Sequence, residues 1–451
     1  MERTNDCMRE QNACLRTVIH LACRKAEPLA YILLFAGVFL TPIYLRYPLL
    51  APTVGYYGQI NVLCVLATAI LILGSEPFGR AEKTAFTLYM LMLIPLLVTD
   101  KLAGIRMSHT AATLCNCWLP FFLPLCKTDP NHAKNRIGHF LYAYDVFIVV
   151  LLAIGIWDRL SETKLLYAVA NWFWNHELYE YEEIRVMLRL IEEEAGRHLS
   201  RFYYVWGHTL TNAIFFNGFF ILNDIYYWSI ERRYPRIAFF AIALCGTLLC
   251  GAKMALMVLA VYLVIANWEN KRWLIVYAVI IVAFYASGAF NEVIHRFQHT
   301  SLTSGRVDAM KKYFADGIQP LHFLLGYGGN STRIPHSYLY DIRAAFEFPP
   351  LMYALDYGIV FSFVMTGTYV VYATHRMLKN GKIISWMAIG LWYLQINTYY
   401  ASSLNCHDAA WIMSIGVMIA VNCADQTERS SVLTQNTTDY EYSIARKSSV
   451  R

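Results

Sequence analysis

Residues 236–267 read RIAFFAIALCGTLLCGAKMALMVLAVYLVIAN, and residues 268–290 continue as WENKRWLIVYAVIIVAFYASGAF. Three apolar runs lie here, near 236–251, 252–267 and 272–290, divided only by Gly251-Ala252-Lys253 and by a short polar segment around Glu269–Arg272. Each run approaches the ~20 residues that a helix needs to cross a hydrocarbon core about 30 Å thick. Hydrocarbon offers no partner to an exposed backbone, so such a run crosses as a helix that satisfies its own N–H and C=O groups. The first two runs nearly touch, which predicts a tight turn at Gly251-Ala252-Lys253.

Runs of the same kind recur near 29–45, 57–74, 84–100, 110–126, 138–157 and 207–228, and again near 351–374, 383–401 and 406–423. The third and fourth are weak and fit shorter, tilted or re-entrant elements as well as full spans. Composition agrees, with 57% hydrophobic and 16% charged residues and a mean hydropathy of +0.37, outside the range of soluble domains. The expected fold is all-α, a polytopic membrane protein with about twelve transmembrane helices.

Lys and Arg in short loops report orientation. With the N-terminus in the cytoplasm, the short inner loops hold Arg80, Lys83, Lys127, Lys134, Arg136, Arg232, Arg233, Arg236, Lys271, Arg272, Arg376, Lys379 and Lys382. The short outer loops hold only Arg46, Lys101, Arg106 and Lys253. Both termini are therefore expected in the cytoplasm, and a large loop between the ninth and tenth helices faces outward. The organisation that follows is a cytoplasmic N-terminal segment 1–28, an N-terminal transmembrane bundle 29–157 and an outer segment 158–206. Central transmembrane helices follow at 207–290, then the large outer loop 291–350, C-terminal transmembrane helices 351–423 and a charged, Ser/Thr-rich disordered cytoplasmic tail 424–451. Within 158–206, Ile184, Met187, Leu188 and Ile191 recur at helical spacing opposite a Glu/Arg face, which predicts an amphipathic helix on the outer interface.

The net charge of +6 is scattered among loops, so it reads as orientation signal and anionic-lipid contact rather than as a nucleic-acid surface. None of the eleven cysteines falls in either long outer segment. No disulfide framework or zinc spacing is therefore expected there. The first 28 residues are polar and carry acids, so the first apolar run is expected to act as an uncleaved anchor.

The loop 291–350 concentrates chemistry-bearing side chains: Arg296, Arg306, Lys311, Lys312, Arg333 and Arg343, with His295, His299, His322 and His336. A plain connection between spans is usually short, so a long cationic one marks function. Outside the cytoplasm no ATP is expected, so a reaction there needs a donor already activated by its leaving group. A lipid-linked pyrophosphate is such a donor, and Arg suits bidentate contact with its oxygens. Arg306 stands out beside Ser304 and Gly305 in a compact turn, as does Arg201 at the mouth of a span. His336, between Pro335 and Ser337, has Arg333 and Arg343 nearby in sequence, which favours a neutral imidazole able to accept a proton from an incoming hydroxyl or to bind a phosphate.

Lys253 either snorkels to the outer surface or points inward as a further pyrophosphate ligand. His208, Asn212, Asn217 and Asn223 line the start of the sixth span; they either contact a hydroxyl-rich ligand or join helices. Gly326-Tyr327-Gly328-Gly329-Asn330 lacks the Gly-Lys-Ser/Thr of a nucleotide loop and reads as a turn. Asn330-Ser331-Thr332 matches a glycosylation sequon, and His407-Asp408 is a candidate acid/base pair. The four loop histidines fit no compact ligand spacing, so no metal is expected.

Four landmarks now stand in order: Arg201 before GHTLTNA, LLCGAKMALMVLAVYLVI, Ser304-Gly305-Arg306, and LLGYGGN followed by Pro335-His336-Ser337. This arrangement resembles the bacterial O-antigen polymerase and O-antigen ligase superfamily over about residues 197–375. Lys253 stands where the family usually has Arg, and the segment from His336 to Asp356-Tyr357-Gly358 is longer than typical. The resemblance implies a glycosyltransferase of the inner membrane whose active site faces the periplasm, with a polyprenyl-pyrophosphate donor and no cofactor. It assigns catalysis to His336 and Arg306 and pyrophosphate binding to Arg201, Lys253, Arg306 and Arg333. Acceptor or sugar contacts fall to His208 and Asn212. The implied partners are an undecaprenyl-pyrophosphate-linked oligosaccharide, membrane lipids, and a chain-length regulator and flippase of the same pathway. The expected activity is an O-antigen, capsule or exopolysaccharide polymerase. The nearest alternative is a ligase that moves finished glycan to lipid A–core, and a membrane transporter or lipid flippase is the alternative of another class.

Overall fold

A computed structural model describes residues 90–107, 130–161, 209–229, 235–299, 314–317, 320–329, 348–397 and 413–423. It also describes Phe202 and scattered positions at 14–32, 87, 110–124 and 311. Among the described residues all regular structure is helical, with no strand. The all-α expectation holds. The helices are α1 Leu93–Leu102, α2 Pro130–Leu160, α3 Thr209–Ser229, α4 Arg236–Cys250, α5 Lys253–Ala266, α6 Lys271–Ala286 and α7 Asn291–His299. They continue with α8 Pro349–Tyr357, α9 Ile359–Gly367, a π-helical turn Thr368–Tyr372, α10 Ala373–Lys379, α11 Ile383–Asn397 and α12 Met413–Cys423.

One described helix, over Lys134–Leu160, is long and apolar enough to cross a membrane. Helices α4, α5, α11 and α12 are apolar but shorter; the 15 residues of α4 rise only about 22 Å. The spans expected near 29–45, 57–74 and most of 110–126 lie outside the described residues, as do most of the amphipathic segment within 158–206 and the tail. The run at 351–374 is not one helix: it breaks at Gly358, between α8 and α9.

The tight turn expected between α4 and α5 is present. Gly251 adopts φ 59° and its N–H donates to the Leu248 carbonyl at 2.9 Å. Glycine pays no Cβ penalty in this left-handed C-terminal cap. The helices then pack through rings and glycines. Phe219 of α3 stacks on Phe239 of α4 with centroids 4.8 Å apart. A Cβ on Gly218 would lie 2.3 Å from the Trp392 ring, and one on Gly416 would lie 2.5 Å from it. The indole of α11 is thus keyed between α3 and α12, and its N–H donates to the Ile214 carbonyl at 3.0 Å.

Polar side chains inside this packing join helices. Asn217 donates to the Ala255 carbonyl at 2.8 Å and to Gln395 Oε1 at 2.7 Å, and it accepts from Thr247 at 3.3 Å, so it ties α3 to α5, α11 and α4. Asn223 donates to Asp145 Oδ1 at 2.7 Å, linking α3 to α2. For these two asparagines the helix-joining alternative is the one realised.

One end of the bundle carries a buried ionic clamp. Arg236 donates from Nε and Nη2 to both oxygens of Asp224 at 2.7 Å and from Nη1 to Asn267 Oδ1 at 2.6 Å. The Tyr262 hydroxyl donates to the same carboxylate, and the guanidinium lies 5.7 Å from the Tyr277 ring centroid. The clamp therefore joins α3, α4, α5 and α6. Arg236, counted above among loop charges, is instead the buried first residue of α4, and Arg136 is likewise buried within α2, which begins at Pro130, ahead of its apolar run near 138. On the outside, α6 buries only Tyr277 and exposes Ile275, Val279, Val282 and Tyr285. An apolar outer face this extensive suits lipid better than water.

Removing one partner of a buried ion pair strands the other. Arg236→Ala should lower the unfolding midpoint in detergent sharply, by a destabilisation of about 3–5 kcal/mol, whereas the double change Arg236→Met with Asp224→Leu should recover much of it. Gly218→Ala should be destabilising by about 1–3 kcal/mol, because the Trp392 ring must move to admit the methyl. Thermal unfolding followed by tryptophan fluorescence checks both.

Candidate functional site

The opposite end of α4 lies roughly 21 Å from the clamp along the helix axis. There the chain is sewn around the α4–α5 turn. Phe202 donates its N–H to the Leu249 carbonyl at 3.0 Å, and its own carbonyl accepts Asn212 Nδ2 at 2.8 Å. The Phe202 ring reaches to within 3.4 Å of where a Cβ on Gly155 would stand, so the residue is wedged between α2, α3 and the end of α4.

Lys253 is the first residue of α5 and is buried. Its Nζ lies 5.5 Å from the centroid of Phe297 on α7, within cation–π range. Ala252 precedes it as an N-cap with no side-chain hydrogen bond, and the first turn of α5 carries no acid. The opening N–H groups of a helix have no intrahelical acceptors and sit at the positive end of its dipole. An ammonium on such an end is poorly placed for helix stability and well placed to meet an anion.

A second cluster is built on the glycine-rich turn. Tyr327 and Gly328 donate their N–H groups to the Leu355 and Asp356 carbonyls at 2.9 and 2.8 Å. Ile359 and Val360 donate theirs to the His322 and Phe323 carbonyls at 3.0 and 3.1 Å. The last carbonyls of α8 and the first N–H groups of α9 are the ones a helix cannot satisfy itself. Segment 322–328 therefore caps both helices where they part at Gly358. Close approach demands the glycines: a Cβ on Gly326 would fall 2.2 Å from the Leu355 oxygen, and one on Gly358, at φ 99°, would fall 2.7 Å from the Leu324 carbonyl carbon. The far side of the turn meets α1, where Gly329 N–H donates to Asp100 Oδ1 at 3.1 Å. The turn reading of this motif is the one realised.

Of the residues to which the resemblance assigned roles, Lys253 and Asn212 are described. They share one neighbourhood, through Phe202 and the α4–α5 turn. Asn212 is fully buried and its amide N–H is committed to Phe202, while its Oδ1 meets no partner among the described residues. Arg201, His208, Arg306, Arg333 and His336 lie outside the described residues, as do Arg343, His407 and Asp408. His295 and His322 are exposed, and the His322 ring rests 5.0 Å from that of Tyr327. Among the described residues no three His, Cys, Asp or Glu side chains converge as metal ligands would. Asp100 was missed from the sequence; a lone carboxylate closing the apolar run LIPLLVTD was the available signal.

No family model, curated protein or solved structure matches this chain.

The backbone oxygen facing Gly326 cannot rotate away as a side chain would, so Gly326→Ala should undo the double cap. We expect an unfolding midpoint lower than wild type, by a destabilisation of about 1–3 kcal/mol. Gly390→Ala on α11, where a Cβ meets nothing within 4 Å, should leave the midpoint unchanged or raised by up to about 1 kcal/mol of helix propensity. Equal losses from both would remove the capping account.

Proposed function

We propose that this chain is an inner-membrane polysaccharide polymerase of the O-antigen, capsule or exopolysaccharide type. It would span the membrane about twelve times with both termini in the cytoplasm and its site facing the periplasm. It transfers a growing glycan from undecaprenyl pyrophosphate onto the sugar of the next lipid-linked repeat unit. The observation that carries this reading is the α4–α5 turn. It buries Lys253 on an uncapped helix start and pins Phe202 to the Leu249 carbonyl beside it. Arg201, which the proposal makes a pyrophosphate ligand, directly precedes Phe202 in the chain.

In the transfer, the acceptor hydroxyl oxygen bonds to the anomeric carbon as the bond from that carbon to the phosphate oxygen breaks. The pyrophosphate leaves with the electron pair, and the hydroxyl proton passes to His336. Arg201, Arg306 and either Lys253 or Arg333 stabilise the charge gathering on the leaving group. Attack opposite that group inverts the anomeric centre. Neither a nucleotide sugar nor a metal takes part. The exposed apolar face of α6 belongs against lipid, and a chain-length regulator and flippase of the same pathway are the partners such a polymerase works beside.

Deleting the gene in its native host and resolving surface glycans by gel electrophoresis tests the assignment. Core bearing a single repeat unit, or loss of capsule or slime alone, is expected; complementation with His336→Ala should then fail. Bare core with accumulated lipid-linked polymer would identify a ligase, and unchanged glycans would sink the glycosyltransferase reading. Lys253→Ala should slow chain extension about tenfold or more, with Lys253→Arg retaining most of it, if the charge serves the leaving group.

A further inference from the structure

We infer that Phe323-Leu324-Leu325, the tip of the segment that caps α8 and α9, is an interfacial anchor inserted among the bilayer lipids where α9 begins. The anchor rests on the membrane-spanning part of the reading above and not on its glycosyl-transfer chemistry. These three consecutive side chains are 68%, 62% and 38% exposed. Single apolar residues on a surface need no explanation, but an exposed run of three is a fault unless something uses it. The run is not slack chain. On one side of the tip, His322 and Phe323 give their carbonyls to Ile359 and Val360. On the other, Tyr327 and Gly328 give their N–H groups to Leu355 and Asp356, and the buried Asp100 carboxylate holds Gly329 N–H. The backbone is clamped at both flanks, and its side chains are presented outward.

The helix bonded to the tip says what covers it. Ile359 and, one turn on, Phe363 are exposed, and exposed apolar side chains continue at Val370, Val371 and Leu378. Gly367 and Ala373 keep right-handed helical angles on either side of the π-helical turn, so α9 and α10 form one continuous path. From Tyr357 through Thr374 no residue is charged, and the path ends on Arg376 and Lys379. The Arg376 guanidinium lies 5.9 Å from the Tyr372 ring centroid, and the Trp386 N–H donates to Thr374 Oγ1 at 2.8 Å. Aromatic rings beside cations are what a membrane–water boundary gathers. From Ile359 to these cations the helix rises about 25–30 Å, close to the thickness of a hydrocarbon core. With one boundary at Arg376 and Lys379, the other falls at the tip. His322 and Tyr327 flank the tip with rings 5.0 Å apart, and the Tyr327 hydroxyl donates to the Pro320 carbonyl at 3.0 Å. An apolar point with polar-headed flanks matches the gradient of the headgroup region. A second copy of the chain would account for the tip alone; lipid accounts for the tip and for the apolar face of α9 that it adjoins.

The test uses the full chain in nanodiscs of phosphatidylethanolamine and phosphatidylglycerol, with a trifluoromethyl-phenylalanine placed singly at Phe323, Phe363 or Phe361. Fluorine relaxation is measured with dissolved oxygen, which partitions into lipid, and with a nickel chelate, which stays in water. At 323, as at the exposed 363, the oxygen effect should exceed the nickel effect severalfold, while the buried 361 answers weakly to both. The same label at Leu325 gives a second reading if the variant at 323 fails to fold. Adding Phe323→Ser with Leu324→Ser to that chain should reverse the ratio at 325, because the apolar drive for insertion is gone.

A nickel effect that dominates at 323 while oxygen dominates at 363 would overturn the anchor alone. Weak response to both agents at 323, as at 361, would overturn it in favour of a covering protein surface such as a second copy. A lipid-like ratio at 325 that survives the serine pair would overturn insertion by these side chains. Nickel dominating at 363 as well would sink the membrane-spanning reading and the anchor with it. None of these measurements uses glycan extension, so failure of the transferase assignment and failure of the anchor are separate results.

Discussion

The left-handed turn at Gly251 is the constraint on which both ends of the bundle depend. Its N–H closes onto Leu248, so α4 and α5 run antiparallel with almost no chain between them. The start of α4 and the end of α5 must then lie together, and there Arg236 bonds Asn267. The end of α4 and the start of α5 must also lie together, and there Leu249 receives Phe202 while Lys253 opens the next helix. A longer connection would let the two ends vary independently. Because the turn is tight, the ionic clamp at one end steadies the cationic end about four helical turns away.

Between those ends, cohesion comes from fit and from a few polar ties. Close packing and interhelical hydrogen bonds hold the described helices together. Gly218 and Gly416 admit the Trp392 ring, and Gly246 admits Phe216. Asn217, Asn223, the Tyr144 hydroxyl bonded to the Phe215 carbonyl, and the Trp392 N–H each cross from one helix to another. The same residue types that a sequence marks as ligand contacts are here consumed in assembly. At the Lys253 end, Ala252 gives α5 no side-chain cap, and the Asn212 oxygen has no partner among the described residues.

Much of the helical layout was legible because hydrocarbon-length apolar runs leave a strong local signal. The runs at 236–251, 252–267 and 272–290 recur as α4, α5 and α6 within a few residues, and the near-contact of the first two foretold the Gly251 turn. Local signals fail where a long-range partner decides. Arg136 and Arg236 looked like loop charges because a sequence does not reveal that Asp224 waits for Arg236 across a hairpin. The run at 351–374 looked continuous because the break at Gly358 is held open by His322 and Phe323, whose carbonyls take the N–H groups that a continuous helix would have used itself. Asp100 and Gly329 stand 229 positions apart, and no periodicity links them. The cluster at Lys253 was half legible: the cation stood out between two apolar runs, but its place on an uncapped helix start did not.

That place bears on the choice of lysine. Arginine fixes oxyanions with a planar fork of donors, and lysine offers a compact point charge without that geometry. At residue 253 geometry is available from another source, because the opening N–H groups of α5 are fixed in direction by the helix that follows them. A point charge added to an array of oriented backbone donors gives what a guanidinium supplies alone. The ammonium lies 5.5 Å from the Phe297 ring centroid, beside the Gly251-Ala252 turn. Under the polymerase proposal, lysine at 253 would therefore leave the orienting role to the backbone N–H groups that open α5.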